Sequence, residues 1–176
     1  MSEIIETARL ILRALRLADA EPFVRLMTPG IARWTGSWQG DETLERVTER
    51  IRRHHAMAAK GAYFDRAITI AETGELIGWI GVRRLDDNPA RGAIGYWIGE
   101  AWFGRGYTRE AARALLDAAW DALPVDIIEG AAQLPNAASQ AVLKGLGMAY
   151  AGERDEFASA RGSSDRCAVY EITRPS

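Results

Sequence analysis

Apolar and polar positions alternate in several short stretches of the chain, and this pattern predicts β-strands. Residues 9–15 form the first such stretch, and residues 62–71 and 76–85 flank Thr73-Gly74 as the strands of a hairpin would. A central strand begins at Ile94. The remaining predicted strands are residues 127–132, 148–152 and 167–173, of which the last two are joined by a polar segment at 153–166.

Apolar residues spaced by three and four positions predict helices between these strands. The predicted helices are a short one from Asp19 to Pro29, a longer one over residues 41–61, a central one from Gly106 to Pro124, and a late one from Asn136 to Gly145 or Gly147. In the longer helix, the predicted core-facing side carries Leu44, Val47, Ile51 and His55.

The turn between the central strand and the central helix has the composition of an anion-binding site. Gly104 and Gly106 allow close approach to the backbone, and the helix that follows presents unpaired N–H groups at its positive end. Arg105 and Arg109 add positive charge beside this opening. A ligand that carries several phosphates therefore suits the turn better than a neutral metabolite does.

Two general phosphate-binding motifs fit this turn poorly. The Walker motif requires a Lys-Ser/Thr pair after its second glycine, and that pair is missing. The dinucleotide motif G-x-G-x-x-G matches at Gly104 and Gly106 but has Arg109 at the third glycine, although Glu129 falls near the position of a ribose-binding acid. The turn also comes too late in the chain for the first strand-helix unit of such a domain.

Composition adds limits on class and location. The 176 residues suit a single domain, residues 1–176, and 22 basic against 24 acidic residues leave no net charge that would recruit nucleic acid or an anionic membrane. The opening segment, residues 1–6, lacks the pattern of a signal peptide, which indicates a cytoplasmic protein. Cys167 is expected to be a small apolar residue of a late strand rather than a nucleophile.

Several conspicuous side chains allow more than one interpretation. Trp34 and Trp38 lie in a polar, glycine-containing loop, where they either pack onto the core or line the entrance for a substrate. His54 and His55 have no second metal ligand at helical spacing, so we expect core or surface histidines and no metal site. The acidic residues at the start of the longer helix fit a capping and dipole role better than a cation site.

The chain resembles the GNAT superfamily of N-acetyltransferases, and within it the RimJ/RimL-like branch of ribosomal-protein N-acetyltransferases. Three segments carry the resemblance, and their order and spacing match over nearly the whole chain. They are Thr7-Ala8-Arg9-Leu10-Ile11-Leu12-Arg13 with Asp19-Ala20-Glu21, then Gly95-Tyr96-Trp97-Ile98 through Phe103-Gly104-Arg105-Gly106-Tyr107 and Glu110-Ala111, and finally Asn136-Ala137-Ala138-Ser139 with Val142-Leu143-Lys144 and Gly147-Met148.

This resemblance implies an α/β (α+β) fold, the single-domain GNAT fold, in which a mixed, twisted sheet of about seven strands is flanked by about four helices and splits between its two central strands. It implies acetyl-CoA (coenzyme A) as the cofactor, with the pantetheine arm on the central strand and the pyrophosphate on the glycine turn. The residues that would hold it are Trp97, Ile98, Gly99, Phe103, Gly104, Arg105, Gly106, Tyr107, Thr108, Arg109, Asn136, Ser139 and Lys144.

The resemblance also implies Ser139 and Asn136 as candidate catalytic residues. Glu100, which is close to the cofactor turn in sequence, is either a further catalytic candidate or an exposed residue at the end of the strand. Ser139 is the candidate acid for the leaving thiolate, because the position seven residues after Asn136, where many relatives carry a tyrosine, is Leu143. The alternative for Ser139 is a structural role, in which it caps or buttresses the helix that begins at Asn136. Ala93 occupies the place of an acidic residue that is frequent in the family. The base therefore stays open among Glu100, Glu72, Asp65 and a water chain.

The predicted function is an acetyl-CoA-dependent N-acetyltransferase that transfers acetyl directly to a primary amine. The acceptor is a protein N-terminus or a small-molecule amine, with Trp34, Trp38, the longer helix over residues 41–61 and the 153–166 segment expected to select it. The alternative is a non-catalytic acyl-CoA-binding regulatory module, which Leu143 and Ala93 favour. A homodimer is a further expectation, since dimers are common in such domains.

Overall fold

A computed structural model describes residues 4–175; Met1 to Glu3, which belong to the opening segment discussed above, and Ser176 lie outside the described residues. The strands are β1 (Ile4–Glu6), β2 (Leu10–Arg13), β3 (Tyr63–Ile70), β4 (Leu76–Arg84), β5 (Arg91–Ile98), β6 (Ile127–Gln133), β7 (Ala149–Ala158) and β8 (Ser163–Thr173). The helices are α1 (Ala20–Leu26), α2 (Pro29–Ala32), α3 (Leu44–Ala59), α4 (Tyr107–Ala122) and α5 (Ala137–Gly145), with short 3₁₀ turns at Leu17–Asp19 and Glu100–Trp102.

The strands form one mixed sheet of eight strands in the order β1-β2-β3-β4-β5-β6-β8-β7. Every neighbouring pair is antiparallel except β5 and β6, which run parallel and pair only from Arg91–Ala93 to Ile127–Glu129. Beyond Ala93 and Glu129 these two central strands diverge. The expected split in the sheet is therefore confirmed, and the mixed α/β fold with it.

Some backbone groups of β5 face this split. Every second residue of β5 directs its backbone N–H and C=O groups toward β4, and the residues between them direct theirs away from β4. The Gly99 N–H donates to the Ile77 carbonyl oxygen at 2.8 Å, so odd-numbered residues of β5 bond toward β4. By the alternation of an antiparallel ladder, the backbone N–H and C=O groups of Tyr96 and Ile98 point the other way. They are available in the split, whereas the Gly99 N–H is already used.

Each face of the sheet carries a hydrophobic core. On one face α4 and α5 bury Leu115, Leu116 and Leu143 against the sheet. On the other face α1 and α3 enclose an aromatic cluster, in which the ring centroid of Trp97 lies 5.3 Å from that of Phe23. β5 contributes side chains to both cores, so helices cover both faces of the sheet beside the split.

The buried side of α3 differs from the prediction at two residues, Leu44 and His55. Val47, Ile51 and His54 are buried, whereas Leu44 is 55% exposed and His55 lies on the surface. The His54 Nδ1 atom lies 2.7 Å from Oδ2 of the buried Asp65. A polar partner on β3 therefore makes a histidine the core residue of this turn, which apolar spacing alone cannot reveal.

The last two strands also differ from the prediction. The polar segment 153–166 was expected to connect two short strands, but most of it forms the long β7–β8 hairpin, which closes near Ala158 and Ser163. β7 lies at the edge of the sheet and most of its residues are exposed, so it needs no apolar alternation. The tip contacts the loop after α2, where the Ala160 N–H donates to the Gly36 carbonyl oxygen at 3.1 Å.

Candidate functional site

Two cavities open on the split between β5 and β6. The first, of about 420 Å³, lies beside the glycine turn and is called the turn cavity. The second, of about 320 Å³, lies beside the β7–β8 hairpin and is called the hairpin cavity. They share the residues Trp34, Thr35, Tyr96, Trp97 and Ser139, so the two cavities meet at the end of β5.

The glycine turn exposes the start of α4. Gly104 and Gly106 have φ angles of 72° and 78°, in the left-handed region that favours glycine. Gly106 is the N-cap of α4 and offers no side chain to cap it, and the first intrahelical bond comes from the Glu110 N–H. The preceding N–H groups of α4 therefore lack intrahelical acceptors beside a cavity that Gly106, Tyr107, Thr108 and Arg109 line.

Arg9 braces this turn from the start of the chain. Its Nη1 donates to the Arg105 carbonyl oxygen at 2.9 Å, and its Nη2 lies 2.7 Å from Oε2 of Glu110. Burial would raise the pKa of Glu110, but hydrogen bonds from Thr7 and Arg9 outweigh burial and hold that pKa below its ordinary value. Glu110 thus stays ionised and keeps Arg9 against the turn.

Arg109 points from α4 toward the end of α5. Its Nη2 donates to the Gly145 carbonyl oxygen at 3.3 Å, and Arg113 donates to the same oxygen at 3.0 Å. Arg109 lines the turn cavity, whereas Arg113 does not. The two arginines share one structural contact and differ in their access to the cavity.

Ser139 and Tyr96 meet where the cavities join. The Ser139 Oγ atom lies 3.0 Å from the Tyr96 hydroxyl oxygen, within hydrogen-bond distance. Asn136 is the N-cap of α5, and its Oδ1 accepts a hydrogen bond from the Ser139 N–H at 3.1 Å. Asn136 therefore orients the first turn of α5, and it also lines the turn cavity.

The hairpin cavity has a charged wall. Glu129 is 2% exposed and pairs with Arg91 of β5 and Arg154 of β7. Burial alone would raise the pKa of Glu129, but the two arginines outweigh burial and lower that pKa. Glu156, whose Oε1 accepts from Arg154 at 2.5 Å, and Asp165 supply further carboxylates to the same cavity.

Aromatic side chains form another part of the hairpin cavity. Trp34 and Trp38 both line it, and Trp38 is only 3% exposed because it packs between Phe23 and Trp97. Trp38 therefore packs in the core and also lines the hairpin cavity. Cys167 is a buried residue of β8 that lines the same cavity, and burial raises the pKa of its thiol to about 11.

Some residues predicted for the site lie elsewhere. Glu100 accepts a hydrogen bond from the Thr28 hydroxyl at 2.6 Å, and neither Glu100 nor Gly99 lines either cavity. The Lys144 Nζ atom lies 5.7 Å from the ring centroid of Tyr170. Arg105 lies within the glycine turn, where its carbonyl oxygen accepts a hydrogen bond from Arg9. Neither of these two side chains lines the cavities.

The other two candidate bases are also separated from the junction. Asp65 is held by His54 and by the Trp79 Nε1–H, which donates to Asp65 Oδ2 at 3.1 Å. Glu72 is exposed in the turn between β3 and β4. The structure brings Glu100, Asp65 and Glu72 to neither cavity.

Sequence reasoning missed Tyr96, Glu156 and Asp165 as cavity residues. Tyr96 was noted only as part of a family motif, although the alternation of β5 places its side chain opposite to that of Trp97. Glu156 and Asp165 are directly paired across β7 and β8, which the interpretation of 153–166 as a connection concealed. Only the expectation that this segment helps to select the acceptor pointed toward them.

Residues 4–175 contain no group of three or more histidine, cysteine or acidic side chains placed to hold a metal ion. Within the same residues, every helix is too short or too polar to span a membrane.

Comparison with known proteins gives a consistent family. A model of the acetyltransferase (GNAT) domain matches residues 9–149. The uncharacterized N-acetyltransferase p20 of Bacillus licheniformis is 26% identical over 161 residues, which are 91% of this chain and 90% of p20.

Solved structures support the same fold. An acetyl transferase of Salmonella typhimurium, described as modifying the N-terminal serine of ribosomal protein L7/L12, has a TM-score of 0.83 at 17% identity, with 98% of this chain and 100% of that chain covered. RimJ of Mycobacterium smegmatis in complex with a CoA-disulfide has a TM-score of 0.81 at 21% identity, with 93% of this chain and 81% of that chain covered.

Proposed function

We propose, from the premise that this chain belongs to the GNAT family of acetyltransferases, that it transfers acetyl from acetyl-CoA to a primary amine. One observation carries the proposal: the turn cavity and the hairpin cavity meet at Ser139 and Tyr96. An acyl donor in one cavity and an amine in the other would approach the same point from opposite sides. Such positioning is the first requirement for a direct transfer between two bound reactants.

The turn cavity has the features that coenzyme A requires. The pyrophosphate of coenzyme A fits the N–H groups at the start of α4 that lack intrahelical acceptors. They lie at the positive end of the helix dipole and beside Arg109. The backbone of Tyr96 and Ile98 offers unpaired groups to the amides of an extended arm, as a missing strand would. Trp102, Phe103 and Val142 add apolar lining.

Once the amine is neutral, the acetyl transfer requires two proton movements, one from the amine and one to the thiolate. The amine nitrogen forms a bond to the acetyl carbon, the carbon–sulfur bond breaks, and its electron pair goes to the sulfur. Ser139 Oγ–H is the proposed donor to that sulfur, and the amine proton returns to the serine through water, so that no further reactant is needed. The Ile98 N–H, which faces the split, is the proposed donor to the carbonyl oxygen of the intermediate.

The hairpin cavity is the proposed acceptor site. An amine that begins as an ammonium suits its three carboxylates, of which Glu129 is paired with two arginines and Glu156 and Asp165 with one each. Glu156 or Asp165, acting directly or through water, is the proposed acceptor of the ammonium proton that must leave before the attack, and the second amine proton, released after the attack, is the one that returns to Ser139. The cavity is open to solvent, so both a small amine and the end of a peptide can enter it.

Acetyl-CoA titration by calorimetry tests the cofactor assignment with a matched pair of variants. Arg109→Ala should weaken binding about tenfold, or ~1.4 kcal/mol, because it removes a cation from the turn cavity. Arg113→Ala removes the same contact to Gly145 from outside the cavity and should bind like wild type. Equal losses in both variants would mean that the end of α5, and not phosphate contact, is responsible.

Thiol release with a panel of amines tests the transfer itself. The panel should include free amino acids, polyamines, aryl amines and peptides with free N-termini, with acetyl-CoA alone as the control for hydrolysis. Release that depends on the amine supports the transferase and identifies the acceptor class. Tight acetyl-CoA binding without release for any amine would favour the regulatory module instead.

A further inference from the structure

Tyr96 brings a second hydroxyl to the point where the two cavities join. Its side chain crosses from β5 to α5, where its hydroxyl oxygen lies 3.0 Å from Ser139 Oγ and 3.3 Å from the Ser139 carbonyl oxygen. Tyr96 lines both cavities. The contact joins residues 43 positions apart, so it exists only because α5 packs over the end of β5.

We propose that Tyr96 is the positioning residue of the acetyl-transfer site, donating its hydrogen bond to Ser139 Oγ so that the Ser139 proton points into the cleft. The inference rests on the proposed acetyl transfer. Each hydroxyl has a single hydrogen to donate. If Ser139 donated to Tyr96 instead, no proton would be left for the sulfur, so the direction of this bond decides whether Ser139 can act as the acid.

Burial keeps the Tyr96 phenol protonated and able to donate, and of its two possible acceptors Ser139 Oγ, at 3.0 Å, lies closer than the Ser139 carbonyl oxygen, at 3.3 Å. Burial raises the pKa of Tyr96 to about 12, although the hydrogen bond with Ser139 lowers it in part. The phenol therefore keeps its proton over the range in which the enzyme works. A neutral phenol at 3.0 Å can also stabilise negative charge on Ser139 Oγ while that proton is away.

A double-mutant cycle on the full chain tests this coupling. Tyr96→Phe, Ser139→Ala and the double variant are compared for kcat, KM and acetyl-CoA affinity, with the best amine from the panel. Tyr96→Phe should lower kcat about 10- to 100-fold and leave KM and the acetyl-CoA Kd within about twofold, since the ring stays in place. The double variant should be no slower than the slower single variant, because both changes disable one unit.

Tyr170→Phe is the matched control. The Tyr170 hydroxyl donates to Gln140 Oε1 at 3.2 Å, so this variant also removes a tyrosine hydrogen bond to α5, one residue beyond Ser139. Tyr170 lines neither cavity. Its variant should keep wild-type kcat, and a loss equal to that of Tyr96→Phe would show that anchoring α5, and not orienting Ser139, is the cause.

A fluorinated tyrosine at position 96 separates positioning from packing. Difluorotyrosine keeps the ring and the hydroxyl but ionises at lower pH, and a phenolate can only accept a hydrogen bond from Ser139. The kcat of this variant should fall as pH rises through the lowered pKa, while the kcat of wild type should show no such fall over the same pH range. The charged and titratable side chains that line the two cavities beside Tyr96 are Tyr63, Arg83, Tyr107, Arg109, Glu129, Arg154, Glu156, Asp165 and Cys167, and they are present in both proteins.

The outcomes separate this inference from the function on which it rests. Amine-dependent thiol release by wild type with an unchanged kcat in Tyr96→Phe would overturn the role of Tyr96 alone. Losses that multiply in the double variant, or a flat pH profile with difluorotyrosine, would do the same. Absence of release by wild type with every amine would remove the proposed transferase and the role of Tyr96 together.

Discussion

Asn136 controls Ser139 through the backbone. Its Oδ1 accepts from the Ser139 N–H and so satisfies one of the donors at the start of α5 that have no intrahelical partner. Because Asn136 also lines the turn cavity, a loss of activity on its replacement has two explanations, a lost cap or a lost contact with the cofactor. A replacement that retains capping ability distinguishes them.

Replacing Asn136 by alanine and by serine provides that test. Asn136→Ala should lower the free energy of unfolding by about 1 kcal/mol and reduce kcat, since the first turn of α5 loses its cap. Asn136→Ser keeps a capping oxygen and should restore both quantities. Urea unfolding and thiol release measure the two effects. A serine variant of normal stability but weak acetyl-CoA binding would assign the amide to the cofactor instead.

At the scale of elements, the turn before α4 depends on its backbone conformation. A side chain at Gly106 would meet only the end of the Arg9 side chain, at 3.5 Å, so there is room for a methyl group. The φ angle of 78° is the constraint, because residues with a β-carbon adopt it at a cost of about 1–2 kcal/mol. The turn thus needs glycine for its shape and not for space.

Gly106→Ala therefore has a defined expected effect. It should lower the free energy of unfolding by about 1 kcal/mol and weaken acetyl-CoA binding, as the turn relaxes toward a less strained shape. Gly74→Ala is the control, since Gly74 has a φ angle of 72° in the β3–β4 turn with nothing near its added methyl group. It should show the stability loss alone. A binding loss common to both variants would contradict the role of the turn.

At the scale of the whole molecule, ion pairs connect the strands around the split. β5 and β6 pair over three residues of each strand, and Glu129 adds ion pairs from β6 to Arg91 of β5 and to Arg154 of β7. Glu171 of β8 also pairs with Arg91. These contacts close the base of the split at its narrow end and leave the wide end open for ligands.

Glu129→Gln should make this contribution visible as a pH dependence. The folded protein holds the pKa of Glu129 below its ordinary value of 4.5, so its stabilisation is present above that pH and is lost as pH falls through the lowered pKa. Arg154 is 47% exposed, so we expect a loss of about 2 kcal/mol at pH 7, less than for a fully buried pair. Urea unfolding of both proteins from pH 7 downward should show the difference shrinking; a constant difference would contradict the linkage.

The sequence by itself determined the features that depend on neighbouring residues. Strands β3, β4 and β5 and helices α4 and α5 follow from apolar spacing, and Gly104 and Gly106 indicate the turn through their backbone freedom. The split itself came from the family resemblance, because spacing along the chain contains no information about which strands pair. Apolar spacing therefore predicts individual helices and strands and where they end, but not how they pair.

Only the tertiary structure decided which side chains meet. Tyr96 reaches Ser139, and Glu129 reaches Arg154, because the sheet order brings β5, α5 and β7 to one place. The same packing places Glu100 where it accepts a hydrogen bond from Thr28. It also buries His54 of α3 against its polar partner Asp65. Contacts between distant elements depend on register and on which face each element buries, and these are set by the whole core rather than by any local pattern.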